Sequence, residues 1–204
     1  TQNAGDVAAY NTAVGHSAGY AITTGIQNVL VGGLAGDALT DADHNIALGT
    51  NALGSDTMGS RSVAIGHGTL FTQNFTTDTN SFNVAVGYQA GTAVTTGLQN
   101  TIVGAAAGDA LVDADMNVAV GYLALSTDTY GSKSVAIGKE ALATQNFTTA
   151  TDTFNTAVGH NAGSSVTTGQ YNTIMGGLAG DAITDADFNV AVGYAALTAN
   201  TVGS

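Results

Sequence analysis

The sequence predicts an all-β protein, a β-solenoid whose short coils pile into a rod. Three observations predict it. A Gly-closed apolar pentapeptide returns eleven times at fixed spacing, its residues have strand chemistry, and no stretch shows helical periodicity. The copies are NTAVG at 11, NVLVG at 28, NIALG at 45, SVAIG at 62, NVAVG at 83, NTIVG at 100, NVAVG at 117, SVAIG at 134, NTAVG at 155, NTIMG at 172 and NVAVG at 189. Three short intervals separate the first four starts, a longer one follows, and the series then begins again. Three short units and one long one form a cycle, so that Asn11, Asn83 and Asn155 open successive cycles. AGDALTDADHN (35–45), AGDALVDADMN (107–117) and AGDAITDADFN (179–189) fill one slot of it. One repetitive domain, 1–204, therefore divides into super-repeats 11–82, 83–154 and an incomplete 155–204.

A 17-residue unit is too short for a helical repeat and buries its apolar side only by stacking on its neighbours. Short β-branched runs ended by Gly are strand material. The expectation is two strands of about five residues and two tight corners per coil. At a rise of about 4.8 Å per coil, eleven rungs span on the order of 50 Å.

Each column of the unit has its own reason. The leading Asn (Asn11, Asn28, Asn45, Asn83, Asn100, Asn117, Asn155, Asn172, Asn189) yields only to Ser62 and Ser134. Stacked Asn side chains are expected to hydrogen-bond along the axis as a ladder. In NVAVG the two Val point to one side of the strand and the Ala to the other. Both sides are apolar, whereas a wall standing alone in water alternates apolar and polar. The extra apolar face predicts cover by a second copy, the small Ala permitting close approach, most simply in a threefold bundle. The closing Gly is invariant (Gly15, Gly32, Gly49, Gly66, Gly87, Gly104, Gly121, Gly138, Gly159, Gly176, Gly193), which predicts a corner of positive φ or close backbone approach. The next position holds His16, His67, Tyr88, Tyr122, Lys139, His160 and Tyr194 among its members and reads as an exposed corner, either a contact stripe or ordinary surface variation.

Asp37, Asp41 and Asp43 recur as Asp109, Asp113, Asp115 and as Asp181, Asp185, Asp187. Clustered carboxylates repel unless a cation or solvent intervenes, so the loop is either a Ca²⁺ cage or a set of solvated turn aspartates. The spacing matches neither an EF-hand nor a tandem nine-residue calcium roll. The long coil carries four extra residues and most of the Phe: Phe71, Phe75, Phe82, Phe147 and Phe154. A bulge at one corner is expected there, with Phe75 and Phe147 either plugging it or serving binding. Asn74 and Asn146 stand in N-x-T sequons, a weak signal.

Composition narrows the function. Net charge is −12, and Arg61, Lys133 and Lys139 are the only Lys and Arg, which argues against nucleic acid. The absence of Cys excludes disulfides and thiolate metal sites. No apolar run reaches the roughly 18 residues of a membrane span. GHSAG (15–19) matches a nucleophile elbow, but its counterparts GYQAG (87–91) and GHNAG (159–163) replace Ser17 with Gln89 and Asn161. TTG occurs once per cycle, at Thr23, Thr95 and Thr167, and builds no continuous ice-binding array. No acid–base pair or phosphate loop survives comparison between cycles. The expectation is a non-enzyme without a cofactor, Ca²⁺ apart, with a Thr-, Asn-, Ser- and Asp-rich surface suited to an extracellular or virion-exposed setting. Both ends fall mid-cycle, which predicts either a longer polypeptide or stacking on sister subunits.

SVAIG at 62 and 134, with its NVAVG variants, resembles the signature of the left-handed β-roll in YadA-type heads of trimeric autotransporter adhesins. NTAVGHNAGSSVTTGQYNTIMG is similar to repeat arrays in tail fibres of marine and cyanobacterial phages. The likeness covers residues 11–204. It implies a left-handed parallel β-roll, a homotrimer, and a place on a virion or cell-surface appendage. Both unit lengths of this chain exceed those common in such rolls. The role it implies is a fibre or shaft segment that supports host attachment. The alternatives are an adhesin head touching a receptor or glycan directly, and the subunit of a self-assembling extracellular filament.

Overall fold

The structure is a computed structural model that describes residues 9–199. Its strands, in chain order, are β1 (Thr12–Val14), β2 (Val29–Val31), β3 (Ile46–Leu48), β4 (Gly59–Ser60), β5 (Val63–Ile65), β6 (Thr79–Asn80), β7 (Val84–Val86), β8 (Thr101–Val103), β9 (Val118–Val120), β10 (Gly131–Ser132), β11 (Val135–Ile137), β12 (Thr151–Asp152), β13 (Thr156–Val158), β14 (Thr173–Met175) and β15 (Val190–Val192). The eleven motif strands form one parallel sheet ordered β1-β2-β3-β5-β7-β8-β9-β11-β13-β14-β15. Register is locked with no stagger: Val84, Ala85 and Val86 face Thr101, Ile102 and Val103, and each motif position meets the same position one rung on. The described residues contain no helix. The chain is a parallel β-solenoid of about eleven coils.

Each short coil contributes one three-residue strand, not the two five-residue strands that the sequence suggests. The rest of the coil is turn. Beyond the motif Gly the backbone enters the left-handed region at a residue that is usually not glycine, such as Ser17 (φ 54°), Gln89 (φ 54°) and Asn161 (φ 54°). Amides then divide between two jobs. Tyr20 N donates to Ser17 O at 3.2 Å inside the turn, while Gly19 N and Ala21 N donate to Ala35 O and Asp37 O of the next coil, both at 3.0 Å. The stack thus stays hydrogen-bonded through its turns as well as through its strands.

A second left-handed corner lies just before the leading Asn. All eleven residues there have φ between 49° and 63°, and none is glycine: Tyr10, Gln27, His44, Arg61, Phe82, Gln99, Met116, Lys133, Phe154, Tyr171 and Phe188. Such a conformation costs an L-residue about 1–2 kcal/mol. Inter-coil bonds offset it, as where Arg61 N donates to Asp43 O at 2.9 Å and Gln99 N to Ser81 O at 2.8 Å.

The core is narrow. The middle strand residue points inward and is buried from Leu30 through Ala191. Ala fills that column except at Leu30, Ile102 and Ile174, which recur once per cycle. Large side chains from the turns, including Leu39, Leu53, Leu70 and Leu111, complete the filling. The long coils accommodate their extra residues by pairing β4 with β6 and β10 with β12 in two small parallel sheets. Phe75 and Phe147, each 6 % exposed, are tucked beneath these bulges.

Candidate functional site

The strands turn their second and fourth motif residues outward. This corrects the placement of Ala on the open face: Ala lies inside, and the Val side faces out. So short a coil has little interior volume, and Ala in most rungs leaves room for the turn leucines. The outer face is four columns wide, comprising the residue before Asn, the two outward strand residues and the residue after Gly. The fourth motif position is apolar on all eleven rungs, from Val14 to Val192. The second is apolar except at Thr12, Thr101, Thr156 and Thr173.

Charge is distributed unevenly around the rod. Arg61, Lys133 and Lys139 and all four histidines (His16, His44, His67, His160) occupy the two border columns of this face. None of the 15 Asp and Glu residues lies in any of the four columns. Eight of the aromatics do: Tyr10, Phe82, Phe154, Tyr171 and Phe188 before Asn, and Tyr88, Tyr122 and Tyr194 after Gly. Some of them stack along the axis. Phe154 and Tyr171 have centroids 5.6 Å apart, Tyr171 and Phe188 4.9 Å, and Lys133 Nζ caps the run 5.3 Å from the Phe154 centroid. Arg61 lies over Phe82, and His67 stacks on Tyr88 at 5.5 Å. Sequence reasoning missed the column before Asn: nothing in the sequence marks it as a left-handed corner that turns those side chains outward.

Inside the rod the Asn column makes a ladder between side chain and backbone. Asn83 Oδ1 accepts from Asn100 N at 2.9 Å, and Asn100 Oδ1 accepts from Asn117 N at 3.0 Å. Each amide group also donates across the coil, as from Asn100 Nδ2 to Ala114 O at 2.7 Å. Ser62 and Ser134 end each run of the ladder because a different polar network begins there. Buried Asp56 accepts from Gly59 N and Phe75 N, both at 3.0 Å, and from Gln73 Nε2 at 2.6 Å. Gln73 also donates to Ser62 Oγ and accepts from Asn83 Nδ2. Asp128, Gln145, Ser134 and Asn155 repeat the arrangement. Sequence reasoning missed both networks, although Asp56 and Asp128 stand one cycle apart.

The corner glycines have φ between 123° and 142°. A Cβ on Gly87 would stand 2.4 Å from Gly104 O, so the column is also a place of close backbone approach.

The aspartate triplets separate. Asp43, Asp115 and Asp187 each accept a backbone N–H of the preceding coil, at 2.7 Å from Ile26, Leu98 and Gln170. Asp41 and Asp113 accept from Thr24 Oγ1 and Thr96 Oγ1. Asp185 accepts from Thr184 Oγ1, and Asp37, Asp109 and Asp181 lie on the half-buried turn. Among the described residues no group of three or more His, Cys, Asp or Glu is placed to hold a metal ion. In the first two triplets two of the three carboxylates are directed at different turn donors, Asp41 and Asp113 at threonine hydroxyls and Asp43 and Asp115 at backbone N–H groups. Asp109 stands apart: one carboxylate oxygen is buried without a partner, and burial pushes its pKa above the ordinary 3.8 against the lowering effect of a backbone hydrogen bond. Ser17 sits on a left-handed turn, without the strand-to-helix elbow that a G-x-S-x-G nucleophile needs.

No protein family, curated protein or solved structure matches the chain. No helix among the described residues is long and apolar enough to cross a membrane.

Proposed function

We propose that this chain is a non-catalytic structural segment, a length of shaft in a tail fibre or comparable surface appendage, made by copies packing side by side through their outer sheet faces. The observation that carries the reading is the composition of that face. It is apolar at its centre, bordered by aromatic and basic residues, and free of carboxylates in a chain of net charge −12. Interface cores are depleted in Asp and Glu and enriched in Tyr, Phe, Met and Arg. Seven residues of width, from the residue before Asn to the residue after Gly, and eleven rungs give a projected area on the order of 1,000 Å², which reaches the roughly 800 Å² per partner of a stable interface. A bundle of three is the number implied by the resemblance to YadA-type heads. In such a bundle the zero-stagger stack carries load along the axis, and the Thr-, Asn- and Asp-rich walls face water.

Light scattering after size exclusion tests the association. The parent is expected to run at a multiple of 20.1 kDa. A Val103→Lys, Val120→Lys double variant should run as a single chain with unchanged β circular dichroism, because both side chains point out of the coil. A parent that is a single chain at micromolar concentration would refute the lateral packing.

A further inference from the structure

The internal repetition breaks at one place on the surface. Two residues after the motif Gly, left-handed residues follow one another up the rod, and among Asn51, Gly68 and Gln89 the middle member has no side chain. The gap forms an open notch of about 170 Å³ lined by Asn51, His67, Gly68, Phe71, Gln89 and Thr92. The Phe71 ring, 40 % exposed, lies against Gly54, where a Cβ would come within 3.3 Å of Cδ2 and Cε2. His67 is held by its stack on Tyr88. The side-chain polar groups of Asn51, His67, Gln89 and Thr92 hydrogen-bond to no group among the described residues. One cycle on, the flanking strings recur (GSRSVAIG as GSKSVAIG, and TQNFTT unchanged), yet all six lining positions differ. Leu123, Lys139, Glu140, Ala143, Asn161 and Ser164 stand there, and Lys139 pairs with Glu140 at 2.7 Å.

We infer that this notch is a binding subsite for one neutral pyranose ring, such as a terminal sugar of a surface glycan. An aromatic face attracts the weakly positive C–H edge of a sugar ring. Two side-chain amides, a hydroxyl and an imidazole supply donors and acceptors together, which suits hydroxyls that both give and take hydrogen bonds. A cavity of about 150 Å³ holds a benzene ring, so this volume suits one six-membered ring with its substituents. No Lys or Arg lines the notch, and a net charge of −12 repels acidic sugars. The inference is argued from one chain; of the six lining residues only His67 also belongs to the outer face proposed to pack, at its border.

The test is saturation-transfer NMR on the full chain with the methyl glycosides of glucose, galactose, mannose and N-acetylglucosamine. A ligand of this size in a single shallow site binds with a Kd on the order of 1 mM. At least one glycoside is expected to show saturation of its ring protons, and the signal should be lost in Phe71→Ala and in Gly68→Glu. Both variants install residues that the chain already carries one cycle later. Ala143 replaces Phe71, and Glu140 adopts φ 56° where Gly68 has φ 64°. A Cβ on Gly68 meets only Gln89 Cγ, at 3.6 Å. Unchanged circular dichroism checks that both variants fold. Silence from all four glycosides, an undiminished signal in Gly68→Glu, or equal saturation of methyl glucuronide would each overturn the inference.

Discussion

Gly87→Ala probes the feature on which the stack depends most directly. Gly87 has φ 140°, a region essentially reserved for glycine, and forcing alanine there costs about 1–3 kcal/mol. Its new Cβ would lie 2.4 Å from Gly104 O and 2.6 Å from Gly104 C, well inside ordinary contact, so the rungs must part locally. Parting them breaks the bond from Gly104 N to Val86 O at 2.8 Å and weakens that from Thr69 Oγ1 to Gly87 O at 2.9 Å. Each contributes about 1 kcal/mol. The combined destabilisation is about 3–5 kcal/mol. Gly33→Ala is the control: its Cβ meets only Thr50 Cγ2 at 4.0 Å, and Ala105 already occupies the position one cycle later. That variant should stay within about 0.5 kcal/mol of the parent. Guanidinium unfolding followed by far-UV circular dichroism measures both. Equal midpoints for Gly87→Ala and Gly33→Ala would refute the argument from close approach.

Asn100→Ala strands Asn117 N and Ala114 O inside the rod, and at about 1–3 kcal/mol per buried unpaired group it should lose at least about 2 kcal/mol in the same assay. Asp128→Asn puts an amide where a carboxylate now accepts from Gly131 N, Phe147 N and Gln145 Nε2; two donors then oppose each other, and unfolding should come earlier by about 2–4 kcal/mol. Asp109 carries the opposite sign. Its folded pKa lies above the ordinary 3.8, so the folded chain binds the proton more tightly and the charged form weakens the fold above that raised value. Asp109→Asn should therefore be more stable than the parent at pH 7, with the gap closing as pH falls through the raised value towards 3.8 and staying closed below it. A gap that widens on acidification would contradict the burial argument.

In a solenoid the neighbour of each residue is its counterpart one unit along, so spacing alone assigns every residue of this chain to a column and every strand to its two partners. That is why the cycle, the parallel stacking, the glycine corners and the Asn column could be read before any coordinates. Orientation could not be read. NVAVG is apolar on both sides, and a period-two pattern selects a buried face only where the other is polar; the limited volume within so short a coil placed Ala inside and Val outside. Strand length escaped for a related reason, since Tyr10, Phe82 and their column have no left-handed preference of their own and hold it through bonds to the adjoining coil. The aspartate loop looked like one carboxylate cluster along the chain, yet folding directed Asp41 and Asp43 at different donors of the preceding coil. The notch at Gly68 also required the tertiary structure, because it is made by three unlike coils and its most informative member is a side chain that is missing. Sequence determined which residues share a rung; the volume and curvature of the folded coil decided which way they face and what they surround.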